Sequence, residues 1–436
     1  MLLRTLVSFS LVLVLSLPGW SQSIDTLTVI HYNLLYYGNI NPPPNCTNTN
    51  NNTQSKNGWL NTIITNVQPD LFTANEITST TAGGLIGLNV LNIRNQALNI
   101  NGETKWEYVD PTNNASSGII NGIFYNKNKL GYLSQQVISH SLRDINLVRF
   151  YYKSPQLALG ADTVKLNVIT VHLKAGSTAT DASDRLSQIN AIMAAVATQP
   201  NGNFILSGDF NIPSSNEASY QALINNSNVA IRFRDPVNFN GTWNNSSLFA
   251  PLHTQSTAVS GSCKAGGGMD DRFDFILADR RVMGDSMGVG YIPGSYLALG
   301  QDGLRLNNSI NSPTNTSVPA AVVNALAEMS DHLPVVLKLK VTQPVVQSLE
   351  TASQEANWLQ SVSFENDYLK LSFYSEERLA MILHDLQGRV IDQFELSPSY
   401  QLQSMEMYHT DLPEGLYLLK VSNSRGEQQV RKLLKR

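Results

Sequence analysis

Two short segments at the ends of apolar runs carry the residue types best suited to chemistry in this chain. The first is FILSGDFNIP at Phe204–Pro213, where an apolar run meets Gly208 and then presents Asp209 and Asn211 two residues apart. Residues two apart share a face of an extended chain, so the carboxylate and the amide are expected side by side. The carboxylate can ligate a metal or handle a proton, and the amide can donate to a phosphoryl oxygen. Asp-x-Asn is common in turns, so the pair gains weight only from its company.

The second segment is AEMSDHLPVV at Ala327–Val336, in which Asp331 and His332 stand just before the apolar run Leu333–Val336. Adjacent residues of an extended chain point to opposite faces, so Asp331 and His332 are not expected to pair. The acid that orients His332 must come from elsewhere. Asp274, in DDRFDFIL at Asp270–Leu277, is a suitable source because Phe273 and Phe275 flank it with the opposite facing.

Upstream, Asn33 ends the run VIHYN and Glu76 follows LFTAN. A lone Glu at a strand end is ordinarily a solvated surface group. A hard divalent ion, however, needs oxygen ligands gathered from separate strand ends, and Asn33 with Glu76 can supply them. His172 ends VITVH in the same way. It is either a structural histidine or a donor to a transferring phosphoryl group or its leaving oxygen.

The other histidines, His31, His140, His253, His384 and His409, form with these no H-x-x-x-H pair and no compact Cys/His set, which argues against zinc. Carboxylate and amide ligands favour Mg2+, with Mn2+ or Ca2+ as alternatives. GGGMDD at Gly266–Asp271 lacks the Lys-Ser/Thr of a phosphate-binding loop, and the G-x-S-x-G elbow of a serine hydrolase is missing.

These groups must be positioned by a scaffold. Strands are expected at Thr26–Leu34, Leu71–Asn75, Ile119–Asn126, Lys165–Leu173, Phe204–Ser207, Phe273–Leu277 and Leu333–Val341, with helix at Trp59–Val67 and Asp184–Ala197. Several strands are nearly all apolar, as strands buried between layers are. The pattern describes a layered α/β domain over residues 24–341. Asn39–Ser55 and Ser295–Ser317 are rich in Asn, Pro, Ser, Thr and Gly and read as loops, either surface decoration or walls of a cleft.

With 436 residues and 42% hydrophobic content, the chain can bury the cores of two domains. Its 30 basic and 34 acidic residues make no strongly positive surface, so a dedicated nucleic-acid binder is not indicated. A nuclease is still compatible, because a bound cation and local basic loops can offset a weakly acidic body. Lys127, Lys129, Arg143, Lys174, Arg185, Arg234, Arg272 and Arg305 are scattered along the chain and need not converge.

Residues 1–23, with Arg4 ahead of an apolar run from Leu6 to Leu17 and Pro18 closing it, read as a secretory signal peptide. No later stretch is apolar and long enough to span a bilayer. Cys46 and Cys263 could form one bridge across a very long loop or remain two thiols. Thr342–Ala356 shows no clear hydrophobic period, and residues 342–360 read as a linker. From residue 361 to 436 the pattern turns all β, with runs at Tyr368–Tyr374, Arg378–Leu383, Arg389–Phe394, Gly415–Val421 and Gln428–Leu434, as in a small sandwich. This part holds no cluster of candidate catalytic groups.

Six pieces in order, YNLLYYG (Tyr32–Gly38), NEI (Asn75–Ile77), VHLKAG (Val171–Gly176), SGDFN (Ser207–Asn211), DRFDFIL (Asp271–Leu277) and SDHLPV (Ser330–Val335), resemble the endonuclease/exonuclease/phosphatase superfamily, which includes DNase I-like nucleases, sphingomyelinases and inositol-polyphosphate phosphatases. The resemblance implies a four-layered α/β sandwich of the DNase I-like type. It implies that Glu76 holds a catalytic Mg2+, with Asn33 and Asp331 completing or supporting that environment. It further implies that Asp209 orients or deprotonates the attacking water or protonates the leaving group, that Asn211 and His172 contact phosphoryl oxygens, and that His332, held by Asp274, is the principal imidazole at the scissile phosphate. Attack would be in line, without a covalent intermediate.

The implied function is that of a secreted metal-dependent phosphoesterase. An extracellular nuclease is the first expectation, a sphingomyelinase or other phospholipid or small-molecule phosphatase the alternative, and a noncatalytic surface binding protein the rival from another class. LHDLQGRV (Leu383–Val390), DLPEGLYLLKV (Asp411–Val421) and the basic end RKLLKR resemble the C-terminal sorting domain of the type IX secretion system of Bacteroidetes. That resemblance implies the type IX machinery as a partner and a secreted or outer-surface location. Oligomeric state is left open.

Overall fold

A computed structural model describes residues 22–38, 45–79, 86–159, 161–199, 202–344, 358–425 and 427–435. The signal-peptide reading falls almost wholly outside the described residues, as does most of the linker. Two compact units divide the chain, Met1–Val346 and Gln347–Arg436.

In the first unit the strands are β1 (Gln22–Tyr37), β2 (Leu71–Thr78), β3 (Trp106–Tyr108), β4 (Ile119–Asn126), β5 (Leu130–Ser139), β6 (Ile145–Tyr152), β7 (Lys165–His172), β8 (Phe204–Asp209), β9 (Phe233–Arg234), β10 (Asp274–Asp279), β11 (Val289–Tyr291), β12 (Leu297–Ala298) and β13 (Val335–Pro344). The helices are α1 (Thr53–Val67), α2 (Leu88–Ile93), α3 (Ala179–Ala197), α4 (Ala218–Ile224), α5 (Arg280–Gly284) and α6 (Ala320–Met329). One sheet runs β11-β13-β1-β2-β4-β3, with β12 also on β13; the other runs β5-β6-β7-β8-β10-β9.

Period-two alternation sorts each strand between two cores. In β1, Leu27 and Val29 join Leu71, Val148, Val168, Ile205 and Ile276 in a core shared by the two sheets. Ile30, Tyr32 and Leu34, one position out of step, pack with Leu60 and Ile63 of α1 and Leu326 of α6. On the far side, Ile169, Val171 and Leu206 pack with Ile189, Ile192 and Met193 of α3. The layers are therefore helices, sheet, sheet, helices, a mixed α/β architecture with both sheets covered.

Local signals fix where these elements begin. Asn52 caps α1 by accepting from the Ser55 N–H, which starts the helix earlier than its apolar period suggests. Thr178 and Asp181 form a capping box at α3, five residues ahead of the expected start. Cys46 and Cys263, 217 residues apart in sequence, are joined by a disulfide. Among the described residues no helix is long and apolar enough to cross a membrane.

Several of the scattered cations are internal struts. Arg185 is buried against Glu217, Arg305 against Asp302, and Arg272 against Asp235 with contacts of 2.7 and 3.0 Å. The Arg272 guanidinium also lies 4.3 Å from the ring centroid of Phe275, and the Tyr220 hydroxyl donates to Asp235 at 3.0 Å. Burial pushes the Asp235 carboxyl up, but Arg272 outweighs it and holds the group below the usual carboxylate range. Arg272→Leu leaves that carboxylate buried without its counter-charge and should destabilise the domain by about 3–5 kcal/mol, measured by urea unfolding at neutral pH. Because the folded value is depressed, this stabilisation is complete above the unfolded carboxylate value of about 3.9 and is lost as pH falls through the folded value. The gap between wild type and variant should narrow at about pH 3; a gap unchanged there would assign the loss to packing instead.

The second unit has two antiparallel sheets. Its strands are β14 (Leu359–Glu365), β15 (Tyr368–Ser375), β16 (Leu379–Asp385), β17 (Val390–Leu396), β18 (Ser399–Tyr408), β19 (Gly415–Asn423) and β20 (Gln428–Lys435), ordered β14-β15-β18 and β17-β16-β19-β20. Leu369, Leu371 and Phe373 of one sheet share a core with Met381, Leu383, Leu419 and Val421 of the other. The strands β14 and β18 extend the hairpin pattern read from the sequence.

Candidate active site

The core between the two sheets of the first unit changes character at one end. On the face that carries Leu27 and Val29, β1 continues with His31 and Asn33; β2 follows Leu71 with Thr73 and Asn75. In β7 Leu166 and Val168 give way to Thr170 and His172, in β8 Ile205 gives way to Ser207 and Asp209, and in β10 Asp274 precedes Ile276 and Ala278. Polar groups this deeply buried are tolerated only when hydrogen-bonded or charge-paired. The pattern therefore marks a built site.

Pairing across the second sheet aligns its contributors. His172 is the register partner of Asp209 in parallel β7 and β8, and Asp209 is the partner of Asp274 in antiparallel β10. Beneath them, the Asp209 N–H donates to Asn75 Oδ1 at 2.9 Å, and Asn75 Nδ2 donates to Asn121 Oδ1 at 2.8 Å. Thr73 and Ser207 hydroxyls meet at 2.9 Å. The Asp209–Asn75 and Thr73–Ser207 bonds cross from one sheet to the other, so the two halves of the site are held in mutual register.

Glu76 arrives by a different route. Strand parity would send it toward the helices with Phe72 and Ala74. The pairing of β2 shifts between Ala74 and Ile77, and Glu76 takes φ 58°, so a bulge re-aims its side chain. Left-handed backbone at a non-glycine residue costs about 1–3 kcal/mol and clusters at functional positions.

Glu76, His172 and Asp209 each offer a ligand atom within 4.8 Å of the others. His172 Nε2 is 3.5 Å from Asp209 Oδ2 and 3.9 Å from Glu76 Oε1. Asn33 Nδ2 donates to Glu76 Oε1 at 3.0 Å and to Asp209 Oδ2 at 3.1 Å, while its Oδ1 accepts from the Leu35 N–H at 3.0 Å, which fixes the orientation of the amide. Burial, and then Asp331, push the Glu76 carboxyl up; burial pushes Asp209 up to about 7. Burial, then Arg143, holds His172 well below the usual imidazole range, so it is neutral. Among the described residues Glu76 Oε2 has no hydrogen-bond partner. Two crowded carboxylates, a neutral imidazole and an unpartnered buried oxygen are the donor set of a divalent cation, whose charge would relieve the crowding.

Opposite this trio, His332 Nδ1 donates to Asp274 Oδ2 at 2.7 Å, and His332 Nε2 lies 3.8 Å from Asp209 Oδ2. Burial disfavours charge on His332, but Asp274 and Asp209 outweigh it and raise the imidazole well above its ordinary range. The arrangement thus sets an imidazole whose protonated form is favoured beside a crowded carboxylate pair able to receive a divalent cation.

The other residues anticipated from sequence take more peripheral places. Asp331 accepts from the Ala265 N–H at 2.9 Å and lies outside the close trio, adding negative charge that Glu76 feels. Asn211 is not extended: β8 stops at Asp209, and Asn211 takes φ 53° with its N–H on Asp209 Oδ1 at 3.1 Å and its Nδ2 3.4 Å from the Leu173 carbonyl. It buttresses Asp209 from the turn.

Three residues without a distinctive sequence signal also converge. Arg143, between β5 and β6, donates to the His172 and Leu173 carbonyls at 3.1 Å and lies within electrostatic reach of Glu76 and Asp209. Lys56 is buried and donates to the Leu34 and Leu35 carbonyls at 2.7 and 2.6 Å, pinning the turn that follows Asn33. Gln255 places its carboxamide 2.7 Å from His332 Nε2. The disulfide ties the segment leading to Asn51, which also donates to the Leu35 carbonyl, to the segment holding Ala265 against Asp331.

No family model matches the chain, and no curated protein matches it. Solved structures do. An endonuclease/exonuclease/phosphatase from Beutenbergia cavernae aligns over 94% of this chain and 99% of its own at 13% identity and a TM-score of 0.42. TDP2 of D. rerio complexed with a single-strand DNA product aligns over 72% of this chain and 99% of its own at 15% identity and a TM-score of 0.46. A mannosyl-6-phosphatase of Bacteroides thetaiotaomicron aligns over 72% and 99% at 13% identity and a TM-score of 0.43. At this level of likeness none of them carries a function across to this chain.

Proposed function

We propose that this chain is a secreted, Mg2+-dependent phosphodiesterase that cleaves nucleic acid by in-line attack of water. The observation that carries the reading is the trio Glu76, His172 and Asp209, within 4.8 Å, facing the His332–Asp274 pair bonded at 2.7 Å. A divalent cation held by the trio would supply positive charge to a phosphoryl oxygen and acidify nearby water. Asp209 borders that position and orients the attacking water, and Asn211 holds Asp209 through its N–H. The His332 imidazolium donates a proton or a hydrogen bond to the phosphoryl group from its Nε2, with Asp274 fixing the ring. Arg143 supplies the remaining positive charge.

The charge inventory favours a diester. The groups nearest His332 Nε2 are the neutral amides of Gln255 and Asn33, not further cations, which suits a monoanionic phosphorus centre better than a dianionic one. Export is supported by the leader-like residues 1–23, by the disulfide, which is at home in an oxidising compartment, and by the tail resembling a type IX sorting domain. The test presents the purified chain with plasmid DNA, RNA, sphingomyelin and simple phosphate esters, each with Mg2+ and with chelator. Metal-dependent cleavage of DNA or RNA is expected. Turnover of none of them across a reasonable range of pH and divalent ions would end the reading.

A further inference from the structure

The Nδ1 proton of His332 is committed to Asp274 at 2.7 Å, so Nε2 is the nitrogen left to act. Its nearest polar neighbour is the Gln255 carboxamide at 2.7 Å; Asn33 Nδ2 stands at 3.5 Å and Asp209 Oδ2 at 3.8 Å. Gln255 is partly exposed, whereas His332 is buried. Gln255 therefore joins solvent-accessible surface to a buried imidazole.

Its backbone is anchored on both sides. Gln255 bridges to Asp271 and to His332. The Gln255 N–H donates to the Asp271 carbonyl at 3.0 Å, and the Asp271 N–H donates back to the Gln255 carbonyl at 2.9 Å. The preceding Thr254 carbonyl accepts from the Leu333 N–H at 2.7 Å. The segments that deliver Asp274 and His332 thus hold Gln255 as well. A carboxamide can accept from an imidazolium or donate to a neutral ring by turning over, and it can donate to an oxyanion without carrying charge.

We infer that Gln255 is a substrate-contacting residue: its carboxamide occupies the hydrogen-bonding position on His332 Nε2 until a phosphoryl oxygen takes that position, and its N–H2 then donates to the same oxygen. The identity of the oxyanion as a phosphoryl group rests on the phosphodiesterase reading; the exchange of partners rests on the geometry around Nε2. Gln255 then discriminates by offering a neutral donor where a phosphomonoesterase would place a cation.

The experiment measures binding of inorganic phosphate to the Mn2+-loaded full chain by calorimetry, alongside hydrolysis of bis(4-nitrophenyl) phosphate. Gln255→Leu removes both polar atoms and should weaken phosphate binding about tenfold, the size of one hydrogen bond to a charged group, with a matching rise in KM and kcat within about threefold. Gln255→Glu keeps an acceptor, loses the donor and adds like charge, and should weaken phosphate about a hundredfold or more. Gln255→Ser stands in if the leucine variant does not fold. Phosphate affinity within twofold of wild type in the leucine or serine variant overturns the inference, as does a wild-type chain that binds no phosphate. A Gln255-dependent phosphate affinity in a chain that turns over no ester sustains the contact and removes the phosphodiesterase reading instead.

Discussion

Replacing His332 by Asn should lower kcat for metal-dependent phosphodiester cleavage by about two to four orders of magnitude, with little change in fold. The reasoning starts from the environment of the ring. His332 is buried, its Nδ1 is bonded to Asp274, and Asp274 and Asp209 together hold it protonated against the cost of burial. An asparagine amide can still donate to Asp274 from nearly the place of Nδ1, so the buried carboxylate keeps a partner and the fold is spared. What is lost is the acidic N–H at Nε2, the group that in the proposed mechanism gives a proton to a phosphorus-bound oxygen. Asp274→Asn should act in the same direction, because it removes the charge that sustains the imidazolium while keeping a hydrogen-bonding group beside Nδ1. Steady-state kinetics with circular dichroism as the fold control decides the matter. A His332→Asn enzyme within tenfold of wild type would take the imidazole out of the chemistry.

The reason His332 and Asp274 could be anticipated together is the period-two geometry of strands. Adjacent residues diverge, so Asp331 could not be the partner of His332; in the folded chain Asp331 instead accepts from the Ala265 N–H. Phe275 packs among Phe210, Tyr220 and Trp243 on one face of β10, and Asp274 faces the other sheet. The same logic fails where the chain leaves regular geometry. Asp209 and Asn211 do not share an extended face, because Asn211 sits in left-handed backbone and turns its N–H onto Asp209.

Glu76 reaches the site only through a bulge, and no periodicity marks where a bulge falls. The hairpin of β5 and β6 carries a mixed, half-exposed pattern on β5 that offers no clear apolar run, so Arg143 at its turn could not be told from any surface cation. Conversely, Arg185, Arg272 and Arg305 look like surface cations in the sequence and are buried struts in the fold. Long-range pairings of this kind, the Cys46–Cys263 bridge among them, depend on which loops the sandwich brings together. Short-range pattern holds no record of that.

The second large effect concerns Glu76. Glu76→Gln preserves the side-chain length and the left-handed backbone position but removes one of the crowded charges. In the absence of metal the variant should be at least as stable as wild type, because burial and the neighbouring Asp331 already disfavour the Glu76 carboxylate. With metal the order should reverse. A divalent ion at a hundred times its Kd adds about 2.7 kcal/mol to a protein that binds it only when folded, so Mn2+ should raise the wild-type Tm by a few degrees. The glutamine variant should lose most of that rise and bind Mn2+ at least about a hundredfold more weakly by calorimetry, since even residues that merely support metal ligands are worth ten- to a hundredfold. Metal-dependent turnover should fall in parallel, and chelator should abolish it in wild type. The two stability measurements separate the causes of a dead variant: unaltered Tm rise and Mn2+ affinity in Glu76→Gln would show that the carboxylate is no ligand, and would move the cation to oxygens other than those that Asn33 gathers around Glu76 and Asp209.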